Sequence, residues 1–382
     1  MGPLKGIKVV ELAGIGPGPM CAMLLADLGA AVLRVERRTP VKLGIERPLK
    51  YNLLLRGRPQ IAVDLKDKSG IDFVLALVEE ADALIEGFRP GVTERLGLGP
   101  NACLARNPKL VYGRMTGWGQ AGPLAQAAGH DLNYIALTGA LAAIGRKGAP
   151  PTPPLTLAGD LGGGALYLAC GVLAAIVEAG RSGAGQVVDA AISDCAAHLM
   201  TNFFGMHAAG IMSLERGTNF SDSGAPYYDS YVCSDGHYIS IAPIEERFFA
   251  QLVETLGFKA AAFPPQNDRA QWPHMRRLFA ERFLERTRAE WCALLEGTDA
   301  CFAPVLNVAE APGHPHMQAR RVFVEIDGVT QPAPAPRFSR TPPADPVAPK
   351  AAADTPPAEA LAGWRIADAV ADWIGRGAIG GA

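Results

Sequence analysis

The N-terminal part of the chain alternates between strand and helix patterns, and this alternation constrains the fold more than any other feature. A β-rich run at Lys8–Leu12 leads into a glycine- and proline-rich turn, a helical stretch covers Met20–Gly29, and a second apolar run covers Ala31–Val35. Two strands joined by a helix are expected to lie parallel in one sheet, linked by a right-handed crossover. The sequence therefore predicts an open α/β sheet.

Further patterns predict how the rest of the chain is divided. Strand patterns recur at 60–64, 83–86, 109–112 and 186–190, and a hairpin signal stands at Ser234-Asp235-Gly236. We predict a large α/β domain of Rossmann-like type and a smaller α+β domain. The predicted boundaries are 1–198 for the large domain (completed by 330–382), 199–224 for a connecting segment, 225–320 for the small domain, and 321–358 for a Pro/Ala-rich return linker before a closing helix at 359–374.

Composition narrows the class of protein. A net charge of −2 over 382 residues gives no global electrostatic reason for binding nucleic acid or a membrane surface. Seven scattered cysteines without a C-x-x-C pair are typical of reduced thiols in a cytoplasmic protein, and the N-terminus lacks the apolar core of a signal peptide. Two stretches without charged side chains, 161–177 and 195–214, are interpreted as buried helices.

The turn at Gly14–Pro19 admits two interpretations. A glycine-rich turn between strand and helix can hold a dinucleotide phosphate. The pattern G-x-G-x-x-G fails here because Pro19 stands at the third glycine position and has no backbone N–H to donate, although proline suits a first helical turn. A tight turn is therefore favoured over a nicotinamide-cofactor site.

Short motifs recur in order along nearly the whole chain. A first set lies at 4–12, 25–30, 64–66, 89–92, 96–99 and 185–190, and together these motifs resemble the class III CoA-transferase family. A second set, at 115–120, 129–134, 159–164, 225–229 and 244–245, resembles most the α-methylacyl-CoA racemase branch of that family. The resemblance implies a cofactor-independent isomerase acting on acyl-CoA in lipid metabolism, a large domain that binds CoA, and an interlocked homodimer.

His130 is the most informative single residue. A lone histidine is more often structural than catalytic, but this one follows a glycine and precedes Asp131 and an apolar helical pattern. An imidazole ring titrates near neutral pH and can both take and return a proton. The resemblance implies that His130 is an acid/base group, since related transferases generally lack a histidine here.

Two acidic residues complete the expected catalytic set. Asp160, in the run Gly159–Gly164, could simply cap a helix, but the resemblance implies that it is the second acid/base group. Glu245 could simply complement a helix N-terminus, but the resemblance implies that it orients His130. Asp131 could also support His130, and the sequence leaves the two alternatives open. Backbone N–H groups at Gly159-Asp160, or at the following helix N-terminus, are expected to bind the enolate oxygen.

Three basic residues are implied as ligands of the CoA group. They are Arg37, Lys66 and Arg95, with Arg38 as a rival for Arg37. Arginine suits phosphate and also stacks on adenine. The run His314-Pro315-His316 lacks acidic or thiol partners at ligand spacing, so it is interpreted as a loop and no metal site is expected.

The expected reaction is racemisation of a 2-methylacyl-CoA through an enolate, with His130 serving the (S)-face and Asp160 the (R)-face. The principal alternative is a CoA-transferase in which Asp160 is the nucleophile that forms an acyl anhydride. A third alternative is a protein that binds CoA without chemistry. The acyl chain stays open, because the shape of an apolar pocket cannot be derived from the sequence.

Overall fold

A computed structural model describes residues 2–39 and 44–380 of the chain. The chain forms two compact units. Unit 1 consists of Met1–Thr138, Leu155–Met200 and Arg320–Ala382, and unit 2 consists of Gly139–Pro154 and Thr201–Ala319.

The helices and strands of the described residues follow in chain order. The strands are β1 Lys8–Leu12, β2 Ala31–Arg37, β3 Gln60–Val63, β4 Ala83–Glu86, β5 Val111–Thr116, β6 Val187–Ala191, β7 Asp229–Val232, β8 Tyr238–Ile241, β9 Phe302–Val305, β10 Phe323–Ile326 and β11 Val329–Pro332. The α-helices are α1 Pro17–Asp27, α2 Lys68–Val78, α3 Val92–Leu96, α4 Pro100–Arg106, α5 Asp131–Ala136, α6 Ala140–Ala143, α7 Tyr167–Ser182, α8 Ile192–Leu199, α9 Thr201–Ala208, α10 Glu246–Thr255, α11 Trp272–Phe283, α12 Arg288–Leu295, α13 Pro315–Ala319, α14 Pro357–Ala360 and α15 Val370–Gly375. A π-helix, Leu157–Leu166, runs directly into α7.

The centre of unit 1 is a parallel sheet in the order β3-β2-β1-β4-β5-β6. Every neighbouring pair in it is parallel. The predicted open, Rossmann-like sheet is therefore confirmed. The chain winds outward from β1 in both directions, so the loops after β1 and β4 diverge. In sheets of this kind, the resulting crevice at the carboxyl ends of the strands is where ligands bind.

The strands are apolar on both faces because helices cover both faces. Successive residues of β1 alternate between two cores, with Val10 and Leu12 in one and Val9 in the other. The first core is closed by α2 and by C-terminal aromatic residues, and the second by α1 and α7. Helix α2 begins after Asp67, whose carboxylate accepts the backbone N–H of Ser69 at 2.7 Å and so caps the helix.

Strand β5 continues four residues beyond the predicted end at Tyr112. The predicted strand ends before Gly113, and glycine is depleted in strands. In the structure Gly113 pairs with both neighbouring strands, and a Cβ atom there would lie 3.1 Å from Val172 and 3.2 Å from Leu168. The glycine thus allows α7 to approach the sheet closely.

By length and composition alone, the π-helix and α7 together form a helical stretch that is apolar enough to cross a membrane. Leu168, Val172 and Ala175 are buried in the second core against the sheet, but only 39% of the apolar stretch is buried. The predicted buried helix at 161–177 is thus a partly buried section of a longer helical stretch. The region 195–214 contains the end of α8 and a separate helix, α9, which has no buried residues, so the expectation of a buried helix is wrong there.

The C-terminal residues complete the first core, as predicted, but with more structure than a linker and one helix. Trp373 packs edge-on against Phe73 with ring centroids 5.5 Å apart, and Ile379 bridges Val63 of β3. The predicted helix at 359–374 is interrupted, because Gly363 adopts a left-handed conformation with φ of 84°. The predicted linker contains the hairpin β10–β11.

Unit 2 has the predicted α+β character. Strands β7, β8 and β9 form an antiparallel sheet, and the turn between β7 and β8 includes Gly236 with φ of 77°. Residues 139–154, which the sequence analysis placed in the large domain, pack in unit 2 instead. Arg146 pairs with the buried carboxylate of Asp229 at 2.6 Å, and Arg276 contacts the same carboxylate.

A buried network of ion pairs links Glu11 of β1 to Arg34 of β2 and to Arg58. The carboxylate of Glu11, 1% exposed, pairs with Arg58 at 2.6 Å and also with Arg34. Breaking a buried ion pair leaves an uncompensated charge in a region of low dielectric constant, whereas exposed pairs contribute little.

We expect Glu11→Gln to lower the free energy of unfolding by about 3 kcal/mol, because Arg58 loses its charged partner in the interior. Glu79→Gln is the matched control, since it breaks the exposed pair with Arg106 and should cost less than about 1 kcal/mol. Urea denaturation monitored by circular dichroism measures both. Equal losses in the two variants would contradict the importance of the buried network.

Candidate active site

A cavity of about 440 Å³ opens at the carboxyl ends of β1, β4 and β5. Its walls are the three loops that follow these strands, together with the segment 127–130, Tyr134 of α5, Asp160 of the π-helix and Ile192 of α8. All of the lining residues belong to unit 1. The cavity therefore occupies the crevice that the strand order creates between the diverging loops.

His130 and Asp160 both line this cavity. The sequence analysis predicted that both act on one substrate, and the structure brings them together although 29 residues separate them along the chain. His130 is the N-cap residue of α5, with extended backbone. Its N–H donates to Oδ1 of Asn133 at 3.1 Å, which fixes the backbone. Among the residues of unit 1 that the structure describes, no carboxylate lies at ion-pair distance from its imidazole ring.

Tyr134 fixes the peptide that precedes His130. Its hydroxyl donates to the carbonyl oxygen of Gly129, and its ring packs edge-on against Trp118 with centroids 4.8 Å apart. Burial, reinforced by the negative charge of Asp160, raises the pKa of Tyr134, so the hydroxyl stays a donor. The sequence analysis assigned Tyr134 no role, although its position four residues after His130 on a helix places both on one face.

Asp160 lies in the π-helix with its carboxylate beside the glycine-rich turn after β1. A Cβ atom at Gly16 would lie 3.1 Å from Oδ2 of Asp160, and Gly16 itself has φ of 68°. The predicted tight turn is thus present, with an acidic side chain beside it where a dinucleotide fold would place pyrophosphate. Pro17 and Pro19 follow and have no N–H groups to donate to the carboxylate.

The surroundings of Asp160 favour its protonated form. Burial and, to a smaller extent, the nearby charge of Asp131 raise the pKa of the Asp160 carboxyl, His130 lowers it in part, and the net result is a pKa of about 6. A carboxyl group with this pKa is present in both protonation states near neutral pH. Asp160 is therefore suited to act as an acid and as a base.

Asp131 contacts Asp160 and not His130. Its Oδ1 atom accepts the backbone N–H of Asp160 at 2.5 Å. One expectation is corrected by this contact, because the Asp160 N–H is already bonded and is not free to bind an enolate oxygen. Of the two candidate partners for His130, Asp131 is thus directed elsewhere. Glu245 lies in unit 2 as the N-cap residue of α10, and its side chain makes no capping bond.

The three predicted CoA ligands lie in three segments of unit 1, with Lys66 in the turn after β3 and Arg95 in α3 after β4. Arg37 ends β2 and its guanidinium lies over the ring of Phe88, 5.6 Å from the centroid, while Phe88 itself lines the cavity. Lys66 and Arg95 are exposed. Within residues 2–39 and 44–380, none of the three makes an ion pair. Their role in binding CoA stays a prediction.

Two further basic residues differ from what the sequence analysis expected. Arg38, the rival of Arg37, donates to the carbonyl oxygen of Gly377 and so is held by the C-terminal segment. Arg89, which the sequence analysis gave no role, lines the cavity.

The His314-Pro315-His316 run, interpreted as a loop, enters α13, and His314 pairs with Glu296 at 2.7 Å.

Comparisons with known proteins agree with this geometry. A sequence profile of CoA-transferase family III matches residues 4–355. The chain belongs to CoA-transferase family III. Among its relatives in the family, the α-methylacyl-CoA racemase of Mus musculus is 44% identical over 89% of this chain and 87% of its own, and that of Homo sapiens is 41% identical over the same shares. Proteins named as CoA-transferases match at lower identity.

The family fold is also found in solved structures. The crystal structure of a CAIB/BAIF family protein from Brucella suis superposes with a TM-score of 0.78, at 28% identity, over 92% of this chain and 97% of that chain. The resemblance to family III and to its racemase branch is therefore confirmed at the level of sequence, and the family fold at the level of structure.

The raised pKa of Asp160 predicts a cost in stability. The folded-state pKa of about 6 lies above the unfolded value, so ionisation of Asp160 disfavours the folded state. The resulting loss of folding stability begins as the pH rises above about 4 and is complete above about 6. We expect Asp160→Asn to be more stable than wild type by about 1–2 kcal/mol at pH 8, after allowance for partial solvent screening.

Urea denaturation at pH 8 and at pH 4.5 measures this difference, which should narrow at the lower pH. Asp194→Asn is the control, because it removes the same charge from an exposed position of α8. A variant Asp160→Asn that is less stable than wild type at pH 8 would show that the ionised carboxylate makes favourable contacts instead.

Proposed function

We propose that this protein racemises 2-methylacyl-CoA thioesters by removing and returning the proton on the α-carbon. The single observation that supports this most is the presence of two acid/base groups, His130 and Asp160, on the wall of one cavity. Inversion at carbon requires a base on one face and an acid on the other. The identity to racemases of mouse and human supports the same reaction.

In the proposed mechanism, the neutral imidazole of His130 removes the α-proton of the (S)-epimer. The electron pair of the broken C–H bond moves onto the thioester carbonyl, giving a planar enolate. The protonated carboxyl of Asp160 then delivers its proton to the opposite face, and the (R)-epimer results. The reverse direction uses the Asp160 carboxylate as base and the imidazolium as acid, so protons and charges balance.

A pKa near 6 suits Asp160 to both directions. At neutral pH the carboxylate is abundant enough to remove a proton, and the protonated form is abundant enough to return one. A carboxyl with an ordinary pKa would be a poor acid catalyst at this pH, because almost none of it would be protonated. The desolvated cavity thus provides both protonation states.

We propose that the CoA group binds along the carboxyl edge of the sheet through Arg37, Lys66 and Arg95. Arg37 is the last residue of β2, Lys66 follows β3 and Arg95 lies in α3 after β4. None of the three makes an ion pair within the described residues. Guanidinium and ammonium groups bind phosphate strongly when no carboxylate competes. Binding at this distance supplies positioning energy for the reacting carbon.

The alternative is a CoA-transferase with Asp160 as nucleophile, supported by the transferases among the relatives. A nucleophile of this kind works best as a permanently ionised carboxylate. The raised pKa of Asp160 and the presence of His130 in the same cavity favour proton transfer over anhydride formation.

We expect the protein, incubated in heavy water with either epimer of a 2-methylacyl-CoA, to incorporate deuterium at the α-carbon and to yield one common mixture of both epimers. No acceptor acid is needed, because the reaction is internal to the thioester. Mass spectrometry and chiral chromatography of the acyl group measure both. Consumption of acyl-CoA that depends on an added carboxylate, without α-exchange, would support the transferase instead.

We also propose that the protein is an interlocked homodimer in which Glu245 of one chain orients His130 of the other. Asp160 of the same chain is near enough to interact with His130 electrostatically, but among the described residues of unit 1 no carboxylate is at ion-pair distance from the imidazole ring. Leu137, Leu155 and Leu157 of unit 1 are 67%, 77% and 60% exposed, and exposed apolar side chains of this size are typical of a surface that a partner covers.

Mixing inactive variants tests the shared site. We expect His130→Ala and Glu245→Gln chains, each inactive alone, to recover about a quarter of wild-type activity when unfolded and refolded together, since half of the dimers are mixed and one site in each of these is intact. Refolded homodimers of each variant are the control. Absence of recovery, with mixed dimers demonstrated by mass spectrometry, would contradict the shared site.

A further inference from the structure

Asp131 is a buried acidic residue that contacts the catalytic aspartate. Its side chain is turned inward, with the residue only 5% exposed. Oδ1 accepts the backbone N–H of Asp160 at 2.5 Å. The contact leaves no room for a side chain beside it, because a Cβ atom at Gly159 would lie 2.3 Å from the same oxygen. The π-helix and α5 therefore meet at this carboxylate.

The second oxygen of Asp131 is unusual. Among the protein groups of residues 2–39 and 44–380, Oδ2 of Asp131 is buried and has no hydrogen-bond partner. An unpaired buried carboxylate oxygen is unfavourable, because burial removes its hydration without replacing it. A neutral asparagine could accept the same N–H at a lower cost. Folding stability alone therefore does not explain why position 131 carries an acidic residue and not a neutral one.

We propose that Asp131 is a positioning residue that holds the backbone of Asp160 and, through its buried negative charge, favours the protonated form of the Asp160 carboxyl. This inference rests on the proposed racemase function, in which Asp160 must be both acid and base. The charge of Asp131 acts through Asp160 and not on the substrate itself. Two like charges in a desolvated site are mutually unfavourable, and a proton on one of them relieves the repulsion.

Among the described residues, Asp131 is the negative charge that acts on Asp160. From α5 the site receives His130, whose charge opposes that of Asp131, and Tyr134, which stays neutral. At the glycines of the π-helix that follow Asp160, the nearest side chains of α1 and α8 are those of Pro17, Ile192, Ala196 and Leu199, which do not titrate. Arg89 lies on the wall of the cavity. The pKa of Asp160, raised mainly by burial and then by Asp131, agrees with this arrangement.

The variant Asp131→Asn separates charge from shape, since the amide oxygen can still accept the Asp160 N–H. The readout is the pH profile of deuterium exchange and of inversion, measured for each epimer separately. Exchange from the (R)-epimer needs ionised Asp160, so its acidic limb should move to lower pH by about 0.5–1 unit. Inversion of the (S)-epimer needs protonated Asp160, so at pH 8 it should slow about 3- to 10-fold, which is the same shift expressed as a rate.

Two further variants complete the design. Asp131→Ala removes the hydrogen bond as well as the charge, so it should also lower kcat at the pH optimum for both epimers. Asp194→Asn is the control for a change of net charge and should leave both profiles in place. If Asp131→Asn does not fold, aspartate labelled with carbon-13 at the carboxyl supplies the test in the wild-type protein. The carboxyl signal of Asp131 should then follow the titration of Asp160.

The outcomes distinguish the inference from the proposed function. An unmoved (R)-limb in folded Asp131→Asn, or an Asp131 carbon signal that does not respond to the titration of Asp160, would overturn the inference while exchange by the wild type persists. If only the acidic limb of the (S)-epimer profile shifts, Asp131 acts on His130 and not on Asp160. That result would also overturn the inference. Absence of α-exchange in the wild type would defeat the proposed function itself.

Discussion

The reversal of winding direction between β1 and β4 is the constraint on which the site depends. Parallel strands end at one edge of the sheet, and the loops after these two strands diverge because the following helices cover opposite faces. The crevice between them receives the π-helix with Asp160 and the segment with His130. Two residues proposed as acid/base groups, His130 and Asp160, are thereby placed around one cavity although they are far apart in the sequence.

The immediate surroundings of Asp160 show how stability is exchanged for chemistry. The glycine turn after β1 leaves space for the carboxylate, and the prolines that follow provide no amide hydrogens to stabilise its charge. The burial of Asp131 beside it adds a second unfavourable charge. An arrangement that only had to fold would replace both carboxylates by neutral groups. This loss of folding stability is explained if the Asp160 carboxyl group has to bind and release a proton near neutral pH.

Much of the fold was predictable because local patterns and tertiary structure agree in unit 1. Alternation of apolar runs with helical stretches predicted β1 to β4 within a few residues, and Ser234-Asp235-Gly236 predicted the hairpin in unit 2. The failures have physical causes. The hairpin β10–β11 was missed although Asp327-Gly328 is a turn signal, because the surrounding prolines suggested an extended linker. Residues 139–154 join unit 2 through the ion pair of Arg146, which no local pattern reveals.

Part of the site was predictable and part was not. The presence of His130 and Asp160 in one cavity followed from the family motifs. The π-helix around Asp160 has no sequence signal, and the direction of the Asp131 side chain depends on the packing of α5 against it. The sequence could therefore name Asp131 as a possible partner of His130 but could not show that it bonds to the backbone of Asp160.

The central claim is that His130 and Asp160 work on opposite faces of one α-carbon. The most direct measurement is α-deuterium exchange in heavy water by His130→Ala and Asp160→Asn, with each epimer separately and with the configuration of the product determined. The account predicts that His130→Ala exchanges only the (R)-epimer and Asp160→Asn only the (S)-epimer, in both cases with retention and without inversion. Continued interconversion of the epimers by either variant would contradict the account.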